Sequence, residues 1–254
     1  MTPPPCLAVV VAHPDDETFG CGSLLMHAAA RGVRTVVVCA TRGEAGEVET
    51  GVQVPAGGVG ELRESELRAA AAALGVADVE LLQFADSGLT GAADPGSLAG
   101  APFDEVVDTF RGCLDRHRPD VVVTLDGSDG HRDHVRVREA VRALVLGTAT
   151  PLYLQCLPRS LMHAWIRHHA ADEGKAAYTT LPEIGTPDED MTTLIDTAGL
   201  LPRRRAAIAL HRSQRSPFEG LPDDVQLRWL GREHLVRVNP PWAGGPTETD
   251  LVGL

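Results

Sequence analysis

The apolar run Leu7-Ala-Val-Val-Val-Ala12 passes directly into the polar stretch His13-Pro-Asp-Asp-Glu17, and this junction decides the fold. A valine-rich run without alternating polar residues predicts a strand that is buried on both faces, as in a parallel sheet covered by helices. Four similar runs follow, at residues 35–40, 79–83, 121–125 and 152–155. The sequence therefore predicts a parallel sheet of at least five strands.

Segments of helical character follow the first four strands, at residues 22–31, 62–74, 104–117 and 135–146. Strands that alternate with helices are typical of an α/β, three-layer Rossmann-like sandwich, with the strand order 3-2-1-4-5 at its core. We expect a single domain over residues 1–254, with its core at 6–156 and a C-terminal elaboration at 157–254. In that elaboration the sequence predicts a helix from about 191 to 212, interrupted near 199–202, and an irregular tail from residue 240.

The composition excludes several classes of protein. Of the 254 residues, 43% are hydrophobic and 23% are charged, which favours a globular chain over a disordered one. The 35 acidic residues exceed the 23 basic ones and give a net charge of −12, which disfavours a nucleic-acid partner.

The sequence also predicts the compartment. No apolar stretch is long enough to span a bilayer, and the first residues lack the basic start and apolar core of a secretory signal. The five cysteines are scattered and form no C-x-x-C pair, which disfavours a disulfide framework. We therefore expect a cytoplasmic protein without a membrane span, and the sequence leaves homo-oligomerisation open.

The first chemical cluster lies where the first strand ends. His13, Asp15 and Asp16 follow the buried run, where charged side chains are costly unless a partner satisfies them. His13 and Asp16 can both point at one zinc ion, and Asp15 is then placed to take a proton from a bound water. The alternative is an ordinary turn in which an Asp caps the next helix.

The second cluster follows the fourth strand, in Asp126-Gly-Ser-Asp129-Gly-His131-Arg-Asp133-His134. In the order 3-2-1-4-5, strands one and four are neighbours, so the loops at their carboxyl ends meet in one crevice. His134 could then be the third metal ligand. His131 would remain for acid or oxyanion work, with Asp133 orienting its ring. A solvated histidine loop is the alternative.

Together these motifs resemble the LmbE-like, or PIG-L, family of metal-dependent deacetylases. The family includes the N-acetylglucosaminyl-phosphatidylinositol deacetylases and the deacetylases and amidases of mycothiol and bacillithiol metabolism. The resemblance covers residues 6–214 and rests on A-H-P-D-D-E at 12–17, H-x-D-H at 131–134, T-R-G-E-A-G-E at 41–47, R-x-x-E at 63–66, D-S-G at 86–88 and H-R-S-Q at 211–214.

The resemblance implies a hydrolase that deacetylates an N-acyl amino sugar such as an N-acetylglucosamine glycoside. It implies the metal ligands His13, Asp16 and His134 for Zn²⁺, with Fe²⁺ as the other candidate. It further implies that Asp15 is the general base, and that His131, backed by Asp133, polarises the carbonyl or protonates the amine. Arg63 and Asp86 match positions that contact sugar hydroxyls, and the position of Glu47 on a glycine-rich loop suggests that it faces the substrate. Where some members carry a tyrosine, this chain has Asp129.

Other functions fit the sequence less well. A thiol-conjugate amidase of the mycothiol type would use the same core, and a non-catalytic Rossmann-like binding protein or scaffold would keep only the fold. No G-x-G-x-x-G follows the first strand and no G-x-S-x-G is present, which disfavours a dinucleotide-binding protein and a serine hydrolase. For four further features we expect structural roles: Glu17 bonded to a helix start, Arg203–Arg205 and His168–His169 on the surface, and Cys6 and Cys39 in the core.

Overall fold

A computed structural model describes residues 3–169 and 184–254 of the chain. Its centre is a seven-stranded sheet of order β3-β2-β1-β4-β5-β7-β6. The first five strands are parallel, and β7 runs antiparallel to both β5 and β6. The α/β sandwich and its 3-2-1-4-5 core are therefore confirmed, and the C-terminal elaboration extends the same sheet by two strands.

The strands are β1 (Cys6–Val11), β2 (Arg34–Cys39), β3 (Asp78–Leu81), β4 (Val121–Leu125), β5 (Leu152–Gln155), β6 (Thr193–Asp196) and β7 (Arg232–Asn239). The helices are α1 (Asp16–Phe19), α2 (Gly22–Ala30), α3 (Gly58–Leu74), α4 (Phe103–His117), α5 (Arg132–Val145), α6 (Arg159–His168), α7 (Leu201–Ile208) and α8 (Asp223–Leu230). The predicted elements of the first 155 residues all form; β4 and β5 have the predicted ends, and the other ends are shifted by at most four residues.

Side chains alternate across β1 and contribute to two cores. Val9 and Val11 pack with α2 and α3 on one face of the sheet, whereas Val10 packs with α4 and α5 on the other face. A third apolar cluster joins α6, α7 and α8 through residues such as Trp165, Ile208 and Trp229. Helices cover both faces of the sheet, but not the carboxyl ends of its strands. A site can therefore form at the ends of β1 and β4.

The predicted helix at 191–212 is wrong over its first part. Residues Thr193–Asp196 form β6, because a β-branched stretch finds an unpaired edge on β7, and only Leu201–Ile208 is α-helical. The tail after β7 contains no further helix or strand among the described residues, as expected.

Two surface predictions are also wrong. Arg204 is buried, and its guanidinium forms an ion pair of 2.7 Å with Glu233. His169 is buried as well, whereas Arg203, Arg205 and His168 are exposed as expected. Cys6 and Cys39 lie in the core as predicted.

The structure adds one observation on membranes. Among residues 3–169 and 184–254, no helix combines the length and the apolar character needed to cross a bilayer.

Candidate active site

The turn between β1 and α1 holds the first cluster in a defined shape. The Oδ2 atom of Asp16 accepts hydrogen bonds from the backbone N–H groups of Ala12 (3.2 Å) and His13 (2.8 Å), which hold this carboxylate against the end of the strand. Asp15 adopts a φ of 120°, a conformation that non-glycine residues rarely adopt. Strain of this kind is typical of functional sites.

The second cluster lies at the start of α5. His131 is the N-cap residue, and its Nδ1 atom accepts a hydrogen bond from the backbone N–H of Asp133 (3.2 Å). His134 lies on the first turn, where its Nδ1 atom is 2.6 Å from Oδ2 of Asp129. Its Nε2 atom is thereby turned toward Oδ1 of Asp16, at 3.3 Å.

The structure brings the two clusters together. The ring centroids of His13, His131 and His134 lie between 4.6 and 5.3 Å apart. The Nδ1 atom of His13 is 3.5 Å from Oδ2 of Asp16, and its Nε2 atom is 3.2 Å from Asp133 and 3.5 Å from Asp86. The neighbouring positions of β1 and β4 in the sheet produce this meeting.

The donor set fits a divalent cation. His13 and His134 each direct one ring nitrogen at Asp16 and the other at a second carboxylate, which is the arrangement that orients metal-ligating histidines. The Nε2 atom of His134 is buried and has no hydrogen-bond partner among the described residues. Two imidazole nitrogens and a carboxylate oxygen are a typical catalytic zinc set.

Two groups of donor residues lie close enough together to hold one ion. Ligand atoms of His13, His131 and His134 lie within 4.8 Å of one another, and so do those of His13, Asp86 and Asp133. His13 belongs to both groups, which places it at the centre of the site.

Acidic neighbours dominate the electrostatics. Burial disfavours a charged imidazole, but the carboxylates of Asp129 and Asp16 outweigh it and raise the pKa of His134 to about 10. Burial raises the pKa of Asp15 to about 6, against the opposing effect of Arg63. The site therefore attracts positive charge, as a cation site must.

Asp133 faces a different partner from the one expected. Its carboxylate contacts His13 and accepts a hydrogen bond from the backbone N–H of Ser87 (3.0 Å), while the ring of His131 is held by the backbone N–H of Asp133. The ring of His131 is therefore supported by the backbone N–H of Asp133 and not by its carboxylate, because an N-cap side chain bonds to amides of the first turn.

The three residues assigned to the substrate have different surroundings. Arg63 is buried and donates to Oδ2 of Asp15 (3.0 Å). Asp86 accepts hydrogen bonds from the backbone N–H groups of Gly88 and Ala45 and also faces His13. Glu47 is exposed; its neighbour Glu44 instead accepts a hydrogen bond from the backbone N–H of Asp86 (3.1 Å).

Sequence analysis missed a buried pair behind the site. Glu17 accepts a hydrogen bond from the backbone N–H of Asp15 (3.0 Å), as expected for a residue bonded to a helix start. Its other oxygen lies 2.9 Å from Nε2 of His211, which follows α7 and is fully enclosed. The H-R-S-Q motif points to His211, but a lone histidine near a helix end does not identify its partner.

Comparisons with known proteins identify the family of this chain. Residues 8–145 match the family described as PIG-L, GlcNAc-PI de-N-acetylase. A 1D-myo-inositol 2-acetamido-2-deoxy-alpha-D-glucopyranoside deacetylase from Acidothermus cellulolyticus is 34% identical, over 96% of this chain and 93% of the relative. These matches confirm the family resemblance and the deacetylase class predicted from the motifs.

Solved structures confirm the fold. A deacetylase of the teicoplanin biosynthesis pathway aligns with a TM-score of 0.62 at 20% identity, over 91% of this chain and 98% of that one. GalB, the 4-carboxy-2-hydroxymuconate hydratase of Pseudomonas putida KT2440, also aligns with a TM-score of 0.62, at 21% identity, over 95% and 99% of the two chains. Since a hydratase shares the fold, the site residues and the sequence relatives have to decide the chemistry.

Proposed function

Because this chain belongs to the GlcNAc-PI de-N-acetylase (PIG-L) family, we propose that it removes the N-acetyl group from an N-acetylglucosamine glycoside of inositol, using a bound zinc ion. The observation that carries the proposal is the meeting of the β1 and β4 clusters around Asp16. The inositol aglycone is proposed from the name of the Acidothermus relative.

His13, Asp16 and His134 would hold the ion. When bound, it supplies Lewis-acid chemistry, in that it acidifies water and polarises the amide carbonyl. Asp129 fixes the tautomer of His134, because a carboxylate at Nδ1 keeps the proton there and leaves Nε2 as the metal-facing nitrogen. Fe²⁺ is the other candidate, since imidazole and carboxylate donors also suit it.

Asp15 acts as the general base in this proposal. Its carboxylate lies beside the ligand set and takes the proton of the attacking water at an oxygen that Arg63 does not occupy. The strained backbone of Asp15 fixes where that carboxylate points.

His131 stabilises the oxygen of the amide as negative charge develops on it. Its Nδ1 atom accepts the backbone N–H of Asp133, so in the neutral ring the proton resides on Nε2. That N–H is available to donate a hydrogen bond to the oxyanion, and the proton that Asp15 takes from the water passes to the departing amine. Arg63 and Asp86 would bind hydroxyl groups of the sugar, with Glu47 at the outer end of the loop.

The proposed base can be tested by replacing Asp15 with Asn. We expect turnover of the inositol glycoside to fall by about a hundredfold to ten-thousandfold, the usual contribution of a general base. Zinc content, measured by elemental analysis, should stay near that of the unchanged protein. Asp108→Asn is the matched control, because Asp108 is exposed on α4.

Three results would contradict the proposal. Near-normal turnover by Asp15→Asn excludes Asp15 as the base. Retention of zinc by His134→Ala excludes His134 as a ligand. Undiminished acetate release after chelation excludes a metal enzyme.

A further inference from the structure

Two arginine side chains of α5 hold the long loop that joins β3 to α4 (residues 82–102). Arg132 lies at the start of α5, and Arg136 follows one turn later. The guanidinium of Arg136 donates hydrogen bonds to three backbone carbonyls near the far end of the loop, those of Leu98 (3.2 Å), Ala99 (2.7 Å) and Ala101 (2.8 Å). Arg132 holds the near end, which is the end that carries Asp86.

The near end of the loop folds around the guanidinium of Arg132. Its nitrogens donate to four backbone carbonyls, those of Ser87, Gly88 (2.6 Å), Thr90 (3.1 Å) and Gly91 (2.9 Å). These carbonyls can converge because Gly88 and Gly91 adopt φ values of 61° and 82°, which glycine accepts without strain. A guanidinium offers five N–H donors in a rigid plane and an ammonium only three, so a lysine cannot replace all of these bonds.

The turn that Arg132 holds also contacts the proposed active site. Oδ1 of Asp86 lies 3.5 Å from Nε2 of His13 and accepts a hydrogen bond from the backbone N–H of Gly88 (2.8 Å). The backbone N–H of Ser87 donates to Oδ2 of Asp133 (3.0 Å). One short stretch of main chain therefore connects the guanidinium to the carboxylate that is assigned to the sugar.

The proposed metal ligands do not depend on this turn in the same way. Asp16 is held by the backbone N–H groups of Ala12 and His13, and His134 is held by Asp129. Loss of the Arg132 guanidinium would therefore free Asp86 from its position while these ligands keep their own contacts.

We propose that Arg132 is a positioning residue for substrate recognition. It fixes the turn that directs Asp86 at one hydroxyl group of the sugar, and it thereby sets the preference for N-acetylglucosamine glycosides over analogues that lack this hydroxyl. Arg132 acts through the main chain and not by contact with the substrate. This inference rests on the proposed function, in which Asp86 binds the sugar.

The test measures kcat and KM for methyl N-acetylglucosaminide and for analogues that each lack one hydroxyl of the sugar, with released acetate as the readout. The analogue whose disadvantage disappears in Asp86→Ala identifies the hydroxyl that Asp86 binds. A hydrogen bond to a charged group is worth about tenfold to a hundredfold in kcat/KM, and this preference should be present in the unchanged protein.

In Arg132→Met we expect the preference to fall to about twofold or less, through a rise in KM for the complete substrate alone. The value of kcat for that substrate and the zinc content should stay near those of the unchanged protein. Arg132→Lys keeps the charge but offers fewer donors, so it should keep part of the preference. The lysine variant also serves as the test if Arg132→Met does not fold.

Two further variants are the controls. Arg136→Met should lower the free energy of unfolding, because it releases the carbonyls at the far end of the loop, but it should keep the preference for the hydroxyl. Arg142→Met, in the last turn of α5, should change neither quantity.

Each outcome separates this inference from the function on which it rests. If Arg132→Met lowers activity on all analogues by the same factor and keeps the preference, its role is merely structural and the inference is overturned. An equal loss of preference in Arg136→Met also overturns it, because any loosening of the loop would then be sufficient. It is overturned as well if no analogue shows a disadvantage that depends on Asp86. If the unchanged protein cleaves neither the methyl nor the inositol glycoside, the proposed function fails and this inference fails with it.

Discussion

A single carboxylate, Asp129, decides how His134 presents itself. From the family resemblance, some members are expected to carry a tyrosine at this position. The carboxylate of Asp129 lies 2.6 Å from Nδ1 of His134. A carboxylate partner makes the opposite ring nitrogen a better ligand and holds the ring in one orientation. At this position the chain therefore has a carboxylate that orients the ring of His134.

Replacing Asp129 with Asn should therefore weaken metal binding. The amide keeps a hydrogen-bonding group at this position but removes the negative charge, and we expect zinc affinity to fall by about tenfold to a hundredfold. Competition with a chelator of known affinity measures the change. Asp115→Asn, at an exposed position on α4, should have no effect. Unchanged affinity in Asp129→Asn would show that His134 needs no such support.

At the scale of the elements, contacts between helices and the turn after α7 support Asp15, the proposed general base. Glu17 of α1 holds the backbone N–H of Asp15, and His211, which follows α7, holds Glu17. Ser213 in turn donates to Glu66 of α3, the helix that also carries Arg63. The turn after α7 therefore contacts both α1 and α3, the two helices whose side chains contact Asp15.

Glu17→Gln should lower kcat with little change in KM. An amide cannot serve as acceptor to Asp15, Thr18 and His211 together, so the strained turn loses part of its support. Small misplacements of a catalytic group cost up to about a hundredfold, and we expect a loss of about tenfold or more. Steady-state kinetics and zinc content should be measured together, with Glu105→Gln at an exposed site as the control. A rise in KM at constant kcat would contradict a positioning role.

Sequence patterns predict the strands and their loops, which are local features, and the contacts that follow from the order of the strands in the sheet. The valine-rich β1 and β4 run into their polar loops without a break, so strand order alone brings His13 and His134 together. The partners of Glu17 and Arg204 are separated from them by 194 and 29 positions along the chain. No periodicity encodes such pairs, which is why the contact between His211 and Glu17 was not predicted and Arg204 was assigned to the surface.

At the scale of the whole molecule, the buried arginine Arg204 connects the C-terminal elaboration to the turn that carries the proposed ligand Asp16. Its guanidinium pairs with Glu233 of β7 and donates to the backbone carbonyls of Phe19 (2.6 Å) and Gly20 (3.1 Å). Those carbonyls end the short helix that begins at Asp16. Stability of the late part of the fold and placement of a proposed ligand therefore depend on the same side chain.

Arg204→Met should destabilise the protein by about 3–5 kcal/mol, because it leaves the Glu233 carboxylate buried without a counter-ion. It also removes the donors to Phe19 and Gly20, so zinc affinity should fall in the fraction that remains folded. Arg203→Met, at the exposed neighbouring position, should change neither quantity. Urea unfolding followed by tryptophan fluorescence gives the free energy of unfolding, and chelator competition gives the affinity. A loss of stability with unchanged zinc affinity would mean that α1 keeps its position without Arg204, and that the two ends of the chain are coupled through the sheet alone.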